Sequence, residues 1–128
     1  MAQSVLVVDD EQMARTMLRL ILVRAGFEVF EAKDGYEALA EVQRQLPDLV
    51  ILDIMMPGMD GFAVCEALRK DDRSADVPII MLSARADSES VVKGLQVGAT
   101  HYMTKPVNPE ELTRQVRETL SVRNQILS

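Results

Sequence analysis

The sequence contains a single cysteine, Cys65, and no tryptophan among its 128 residues. One thiol cannot form a disulfide within the chain, and such usage is typical of proteins in a reducing compartment. No apolar run approaches the roughly 20 residues that a membrane-spanning helix needs. No basic-then-apolar leader precedes the first strand-like segment either. We therefore expect a cytoplasmic protein that is not inserted in a membrane.

Basic residues are in the minority, with 14 Lys and Arg against 20 Asp and Glu, so the net charge is −6. No segment gathers the basic residues into a stripe that could follow a phosphate backbone, and direct nucleic-acid binding is not expected. No repeat, low-complexity tract or Gly/Ser-rich linker divides the chain. With a hydrophobic fraction of 48%, residues 1–128 are predicted to form one domain.

Short blocks rich in β-branched residues alternate with segments of helical period, which is the pattern of a parallel sheet covered by helices. The predicted strands are Ser4–Asp9, Phe27–Ala32, Asp48–Asp53, Val77–Ser83 and Thr100–Met103. Three of them are continuously apolar, whereas the second alternates and the fifth is short and mixed, so these two are expected at the edges. The flavodoxin-like order 2-1-3-4-5 meets this requirement. The predicted fold class is therefore a doubly wound α/β sheet of five parallel strands with five helices.

Capping residues and apolar stripes define the predicted helices. Asp34, Asp60 and Asn108 are the starting signals of the second, third and fifth helices. Gly26 and Gly98 are expected to end the first and the fourth. The apolar stripes of the five helices, in chain order, are Ala14, Leu18, Ile21 and Ala25; Ala38, Val42 and Leu46; Val64 and Leu68; Val91, Val92 and Leu95; and Leu112, Val116 and Leu120.

Acidic and polar side chains follow the predicted strands at the points where the strands end. In an open doubly wound sheet, ligands bind beyond the carboxyl ends of the strands, near the reversal in strand order. Two unit charges of like sign repel by roughly 4 kcal/mol at 4 Å and an effective dielectric near 20, so crowded carboxylates need a cation. Mg²⁺ beside an ammonium would meet that need and suit phosphoryl transfer. The residues concerned are Asp9, Asp10, Glu11, Asp53, Ser83 and Lys105.

Four motifs in register resemble the signature of bacterial response-regulator receiver domains, the chemotaxis-regulator-like modules of two-component signalling. The motifs are Asp9-Asp10-Glu11, the run 53–61 (DIMMPGMDG), Ser83-Ala84 and the run 102–106 (YMTKP). The resemblance covers nearly the whole chain. It implies that Asp53 is the nucleophile that takes a phosphoryl group from a histidine kinase or a histidine phosphotransfer protein. Such a domain is a signalling phosphoacceptor that promotes its own phosphorylation and dephosphorylation, rather than an enzyme acting on a separate substrate.

The resemblance also implies a metal site. Asp10, Asp53 and the backbone carbonyl of Met55 would hold Mg²⁺ or Mn²⁺, with Asp9 acting indirectly, through water or as an acidic neighbour. Lys105 would bind a phosphoryl oxygen. The expected cofactor is therefore a divalent cation, held by groups that follow two different strands.

A switch is implied by the same resemblance. Ser83 would turn its hydroxyl toward the new phosphoryl group, and Tyr102 would move inward as Ser83 leaves its former place. The fourth helix, the fifth strand and the fifth helix would then change their affinity for an output partner. That partner is not identified by the sequence. A stand-alone regulator and a segment of a longer protein with a further output domain both stay open, as do a monomer and a phosphorylation-dependent dimer.

Three positions depart from the family pattern or tune it. Val107 stands where a phenylalanine often follows Lys-Pro, so the packing beneath that loop is expected to differ. Met55 and Arg85 occupy positions that tune the lifetime of the phosphoryl group in this family. The Lys105-Pro106 bond is cis in many relatives, whereas about 5–6% of X-Pro bonds are cis in general.

Three other functions are alternatives to this interpretation. A phosphatase of the haloacid dehalogenase type needs a second aspartate two residues after the nucleophile, and that position is Met55. A flavodoxin binds its flavin phosphate on a Ser/Thr/Gly-rich turn after the first strand, where this chain has acids that would repel it. The third alternative is a receiver-like interaction module that is not phosphorylated, and the sequence alone leaves it open.

Overall fold

A computed structural model describes residues 2–127 of the chain. Its elements alternate between strand and helix from the first to the last. They are β1 (Ser4–Val8), α1 (Gln12–Arg24), β2 (Glu28–Ala32), α2 (Gly35–Arg44), β3 (Leu49–Leu52), α3 (Gly61–Lys70), β4 (Ile79–Ser83), α4 (Ser88–Gln96), β5 (His101–Thr104) and α5 (Pro109–Leu127). Each strand begins and ends within two residues of its predicted bounds. No helix in the described part of the chain has both the length and the apolar character that a membrane crossing requires.

The five strands form one parallel sheet in the order β2-β1-β3-β4-β5, so the predicted fold class is confirmed. Every residue of β1, β3 and β4 is buried, whereas β2 and β5 at the edges contain exposed residues. Alternating residues of β1 serve opposite faces of the sheet, since side chains of a strand point to its two sides in turn. Leu6 and Val8 belong to one core cluster, and Val5 and Val7 belong to the other.

The predicted capping residues occupy their expected positions. The side chains of Asp34, Asp60 and Asn108 each accept a hydrogen bond from the backbone N–H three residues later, at 2.8, 2.9 and 3.1 Å. Gly26 and Gly98 follow α1 and α4 with φ of 97° and 114°, a conformation that side-chain-bearing residues rarely adopt. Local sequence therefore determines where these helices begin and end.

Two of the three apolar residues predicted for the inner face of α4 are exposed, and the third, Val91, is only partly buried. Val92 is 52% exposed and Leu95 is 47% exposed, whereas the buried residues of this helix are Ser90 and Gly94. A Cβ atom on Gly94 would lie 2.8 Å from the sulfur of Met81 and 2.9 Å from the ring of Tyr102. The helix approaches the sheet through its small residues, and that close contact turns its larger apolar side chains outward.

The stripe predicted for α1 is correct only in part. Leu18 is buried as expected, but the other fully buried side chain is Leu22, which the prediction omitted, while Ile21 is only partly buried. The opposite side of α1 leaves several large apolar side chains exposed, namely Met13, Met17, Leu20 and Val23. The stripes of α3 and α5 are buried throughout, and in α2 Ala38 and Val42 are buried with Leu46 packed against them.

Helix α3 begins in contact with the backbone that follows β3. The N–H of Gly61 donates to the carbonyl of Ile54 at 2.9 Å. A Cβ atom on Gly61 would lie 2.3 Å from the carbonyl oxygen of Asp53 and 2.7 Å from the Cα of Ile54. Real Cβ atoms do not approach backbone atoms so closely, so this contact requires glycine.

Candidate functional site

Three carboxylates meet beyond the carboxyl ends of β1 and β3, where the strand order reverses. Asp9 and Asp10 follow β1, and Asp53 follows β3. One carboxylate oxygen from each residue lies within 4.8 Å of the other two. The register fixes this meeting, because Val8 pairs with Leu52 and the N–H of Asp53 donates to the carbonyl of Val8 at 2.9 Å. The structure thus brings together the acids that the sequence places at these two strand ends.

The three acids differ in their exposure to solvent. Asp9 is 1% exposed and Asp53 is 6% exposed, whereas Asp10 lies open to solvent. Backbone N–H groups help to hold the buried pair, since Glu11 donates to Asp9 at 3.0 Å and Met55 donates to Asp53 at 3.4 Å. Placing two carboxylates side by side away from water carries a large cost unless a positive charge accompanies them.

Lys105 supplies a positive charge from the loop after β5. Its ammonium nitrogen lies 2.8 Å from Oδ2 of Asp9 and 3.7 Å from Oδ2 of Asp53. The backbone N–H of Lys105 donates to the carbonyl of Ser83 at 2.8 Å, which fixes this loop against the end of β4. The Lys105-Pro106 bond is cis. The lysine is therefore paired most closely with Asp9, the deepest of the acids.

Burial and charge act in opposite directions on the two central groups. Burial raises the pKa of Asp53 to about 6, an effect that Lys105 opposes and Asp9 reinforces. Burial alone would lower the pKa of the Lys105 ammonium, but its hydrogen bond to Asp9 and the charge of Asp53 outweigh burial and raise that pKa. At neutral pH the site therefore holds a carboxylate whose negative charge is not fully compensated.

Because the charge of Asp53 is not fully compensated, the free energy of unfolding is expected to depend on pH in metal-free buffer. The pKa of Asp53 is about 6 in the folded protein against an ordinary 3.8, so the folded state holds the proton more tightly than the unfolded chain. The stability contributed by the protonated group is present below about pH 4 and is lost as the pH rises through about 6. An Asp53→Asn variant is therefore expected to unfold with a free energy about 2 kcal/mol higher than wild type at neutral pH.

Urea unfolding of both proteins in EDTA, at several pH values from about 4 to 8, tests this expectation. The difference between variant and wild type should grow with pH and be absent near pH 4. A difference that is the same at every pH would contradict the assigned cause, because a neutral packing effect of the amide does not titrate.

The residues predicted to act as a switch converge on the backbone of Arg85. Its N–H donates to the Oγ of Ser83 at 3.1 Å, and its carbonyl accepts a hydrogen bond from the Tyr102 hydroxyl. Ser83 is completely buried at the end of β4, and Tyr102 is half-buried with its ring against Gly94. One residue of the β4–α4 loop therefore contacts both side chains. The Arg85 side chain points to Asp87 at 3.9 Å.

Val107 lies beside an open notch. The notch has a volume of about 260 Å³ and is lined by Leu18, Leu82 and Val107, with Lys105 at one end. Val107 is only partly buried against the core cluster beneath α1 and α5. The notch therefore leaves space beside Val107.

Arg15 belongs to the surroundings of the site, although it was not among the predicted residues. Its guanidinium donates to the carbonyl of Asp9 at 2.7 Å and pairs with Glu31 of β2 at 3.3 Å. The sequence carried one signal for it, an arginine between Ala14 and Leu18 on the inward side of α1. A charged residue at such a position needs buried partners, and a strand-end carbonyl is one of the few available.

Comparisons with known proteins agree on one family. Residues 5–117 match the family described as the response regulator receiver domain. The DNA-binding response regulator MtrA of Mycobacterium leprae is 46% identical over 120 residues, which cover 94% of this chain and 52% of that protein. The chain spans about half the length, 45–52%, of the curated relatives it matches.

Solved structures of similar size give the same result. The chemotaxis protein CheY4 of Vibrio cholerae is 39% identical with a TM-score of 0.88, over 92% of this chain and 98% of that one. A CheY-like receiver domain protein from Methanospirillum hungatei is 30% identical with a TM-score of 0.92, over 98% of both chains.

Proposed function

Because this chain belongs to the response regulator receiver domain family, we propose that it accepts a phosphoryl group on Asp53 from a phosphohistidine of a partner protein. One observation carries the proposal: a buried Asp53 carboxylate lies within 4.8 Å of two further acids and 3.7 Å from the ammonium of Lys105. Phosphoryl transfer needs positioning and neutralisation of negative charge more than covalent help from the protein. The donor would be a histidine kinase or a histidine phosphotransfer protein.

The residues present fit a divalent cation. Receiver domains generally bind Mg²⁺ at an acidic pocket, and the donors gathered here are hard carboxylate oxygens, which suit Mg²⁺ or Mn²⁺. Asp10, Asp53 and the backbone carbonyl of Met55 would hold the cation, with Asp9 acting through water or through its charge. When bound, the cation neutralises charge on the phosphoryl oxygens and lowers the mutual repulsion of the acids.

The chemical step would use Asp53 as its nucleophile. An oxygen of the Asp53 carboxylate attacks the phosphorus of the donor phosphohistidine, the P–N bond breaks, and its electron pair returns to the imidazole nitrogen. The product is an aspartyl phosphate. The Lys105 ammonium would then donate a hydrogen bond to a phosphoryl oxygen, in place of part of its interaction with Asp9. As a phosphoacceptor the domain would promote its own phosphorylation and its later loss by hydrolysis.

The switch would use the two contacts of Arg85. If the Ser83 hydroxyl turns to the phosphoryl group, the N–H of Arg85 loses its acceptor, and the loop that also receives the Tyr102 hydroxyl must rearrange. Val92 and Leu95, both exposed on α4, support a partner surface formed by α4, β5 and α5. A ligand or modification shifts such an equilibrium only through contacts that differ between the two states.

The output partner is proposed to be a protein surface or a further domain, with or without dimerisation on phosphorylation. The relative MtrA is described as DNA-binding, but this chain covers only about half of it and carries a net charge of −6. We propose that the receiver domain, residues 1–128, does not contact nucleic acid itself and acts in the cytoplasm.

The proposal is tested by offering the protein a small phosphodonor such as acetyl phosphate, with Mg²⁺ or with EDTA. With Mg²⁺ the intact mass should rise by one phosphoryl group. In EDTA we expect labelling to be slower by on the order of 10²-fold, since the developing charge then lacks its main stabilising cation. Equal labelling in both buffers would contradict the metal site. No labelling in either would favour a receiver-like interaction module that is not phosphorylated.

A further inference from the structure

We propose that Arg15 is a positioning residue for the metal-binding acids, and that Glu31 in turn positions Arg15. The inference rests on the proposed function, because it concerns the same acids. Arg15 lies on α1, and its side chain is 14% exposed. Its contact is with the backbone that joins two of the acids rather than with a carboxylate of the site.

The hydrogen bond of Arg15 lies at a critical peptide. The carbonyl of Asp9 that accepts from Nη1 at 2.7 Å belongs to the peptide between Asp9 and Asp10. Holding the plane of this peptide restricts the ψ of Asp9 and the φ of Asp10, and so restricts the directions in which the two side chains leave the backbone. The carboxylate of Asp10 has no hydrogen bond or ion pair to any other residue in the described range 2–127, so its position depends on its backbone.

Glu31 holds the guanidinium from the other side. Its Oε1 accepts from Nε of Arg15 at 3.3 Å, and its Oε2 pairs with Arg19 at 3.1 Å. Glu31 lies on β2, whose residues pair with β1 along the whole strand, so this anchor shares the frame of the sheet. The chain of contacts therefore runs from Glu31 through Arg15 to the Asp9–Asp10 peptide.

Arg19 provides a matched control within the same network. It pairs with the same glutamate, but its Nη1 donates to the carbonyl of Val29 on β2, at 3.1 Å, and its side chain is 45% exposed. Removing either arginine deletes one positive charge and one partner of Glu31. Only the removal of Arg15 also releases the peptide between the acids.

Charge and position make opposite predictions for metal affinity. A guanidinium near the site repels a divalent cation, so charge alone predicts tighter Mg²⁺ binding in Arg15→Gln and no change in Arg15→Lys. Positioning predicts weaker binding in both variants, because neither side chain can make the forked contact to the carbonyl and to Glu31 together. Outer partners of metal ligands typically contribute about tenfold or more to metal affinity.

The experiment measures Mg²⁺ affinity by isothermal titration calorimetry for wild type, Arg15→Gln, Arg15→Lys and Arg19→Gln. It also records the amide chemical shifts of Asp10 and Glu11 in the metal-free proteins. We expect both Arg15 variants to bind Mg²⁺ about tenfold more weakly and to shift these amides, while Arg19→Gln leaves affinity and shifts unchanged.

Several outcomes would overturn the inference. Tighter binding in Arg15→Gln, or an equal weakening in Arg19→Gln, would assign the effect to charge or to general stability. If wild type does not bind Mg²⁺, the metal site fails, and the metal-free amide shifts still decide whether Arg15 orders this peptide. If Arg15→Gln does not fold, Arg15→Lys takes its place, because charge alone predicts no change in that variant whereas positioning predicts weaker binding, and Arg19→Gln should again leave affinity unchanged.

Discussion

An Asp53→Asn variant is expected to gain no phosphoryl group from a small phosphodonor in Mg²⁺, under conditions that label the wild-type protein completely. The amide nitrogen and oxygen of asparagine are poor nucleophiles, and the substitution keeps the size of the side chain and its place 6% exposed at the end of β3. Removing a nucleophile outright lowers rates by a factor of about a thousand or more. Intact mass spectrometry after a fixed incubation measures the labelled fraction directly.

Asp60→Asn is the matched control for this substitution. Asp60 lies on the same loop, is exposed, and caps α3 through the N–H of Ala63. Asparagine caps helices about as well as aspartate, so this variant should fold normally and be labelled at the wild-type rate. Labelling of Asp53→Asn at the wild-type rate would move the acceptor to another acid, with Asp9 and Asp10 the first to be examined.

Lys105→Met is expected to separate metal binding from phosphoryl transfer. The ammonium competes with a cation for the same carboxylates, since it lies 2.8 Å from Asp9 and 3.7 Å from Asp53. Its loss should therefore tighten Mg²⁺ binding. Labelling should nevertheless slow by on the order of 10²-fold, because one fixed donor to the phosphoryl oxygens has gone. Affinity by calorimetry and the labelling rate by mass spectrometry give the two readings.

Two further variants distinguish an effect on phosphoryl transfer from a loss of folding. Lys105→Met leaves the buried Asp9 without its cation, and breaking such a pair costs about 3–5 kcal/mol. Adding Asp9→Asn removes the unpaired charge, and this double variant should fold and still be labelled slowly. Lys70→Met, at an exposed position near the end of α3, controls for the loss of a lysine elsewhere. Wild-type labelling in the folded double variant would exclude a role for Lys105 in the transfer.

The arrangement of the sheet could be predicted from the sequence because the burial of a strand is reflected in its pattern of apolar residues. β2 alternates and β5 is mixed, since each lies at an edge. β1, β3 and β4 are buried at every position and apolar apart from one terminal serine in each of β1 and β4. That difference identifies the two edge strands, and the flavodoxin-like order is consistent with it. The starts of α2, α3 and α5 could also be predicted, because a capping side chain bonds within three residues of itself. The start of α4 at Asp87 was not predicted, and α1 begins without a side-chain cap.

The inward face of α4 could not be predicted in this way. The helix packs through Ser90 and Gly94 because the Tyr102 ring and Met81 fill the space beneath it, and small residues leave no apolar pattern. Two of its apolar residues, Val92 and Leu95, are exposed instead, contrary to the prediction from helical periodicity. Which face of a short helix meets the sheet depends on partners distant in the chain.

The candidate site, too, could be predicted only in part. The rule that parallel strands deliver their carboxyl ends to one edge was enough to bring Asp9, Asp10 and Asp53 together. That rule gives no distances between loops, and two features of the site depend on such distances. Lys105 lies nearer to Asp9 than to Asp53, and Arg15 reaches the carbonyl of Asp9 across the start of α1.

The contact between Gly61 and the backbone of Asp53 bears on how this protein can diversify. A side chain at position 61 would have to occupy the space of the Asp53 carbonyl, 2.3 Å away. A randomised library of the loop should therefore return glycine at position 61 among all folded clones, whatever activity is selected. The side chain of Met55, a few residues earlier, is exposed, so substitutions there meet no such steric restriction. Substitutions that change specificity are therefore expected at exposed positions of the loop such as Met55, and not at Gly61.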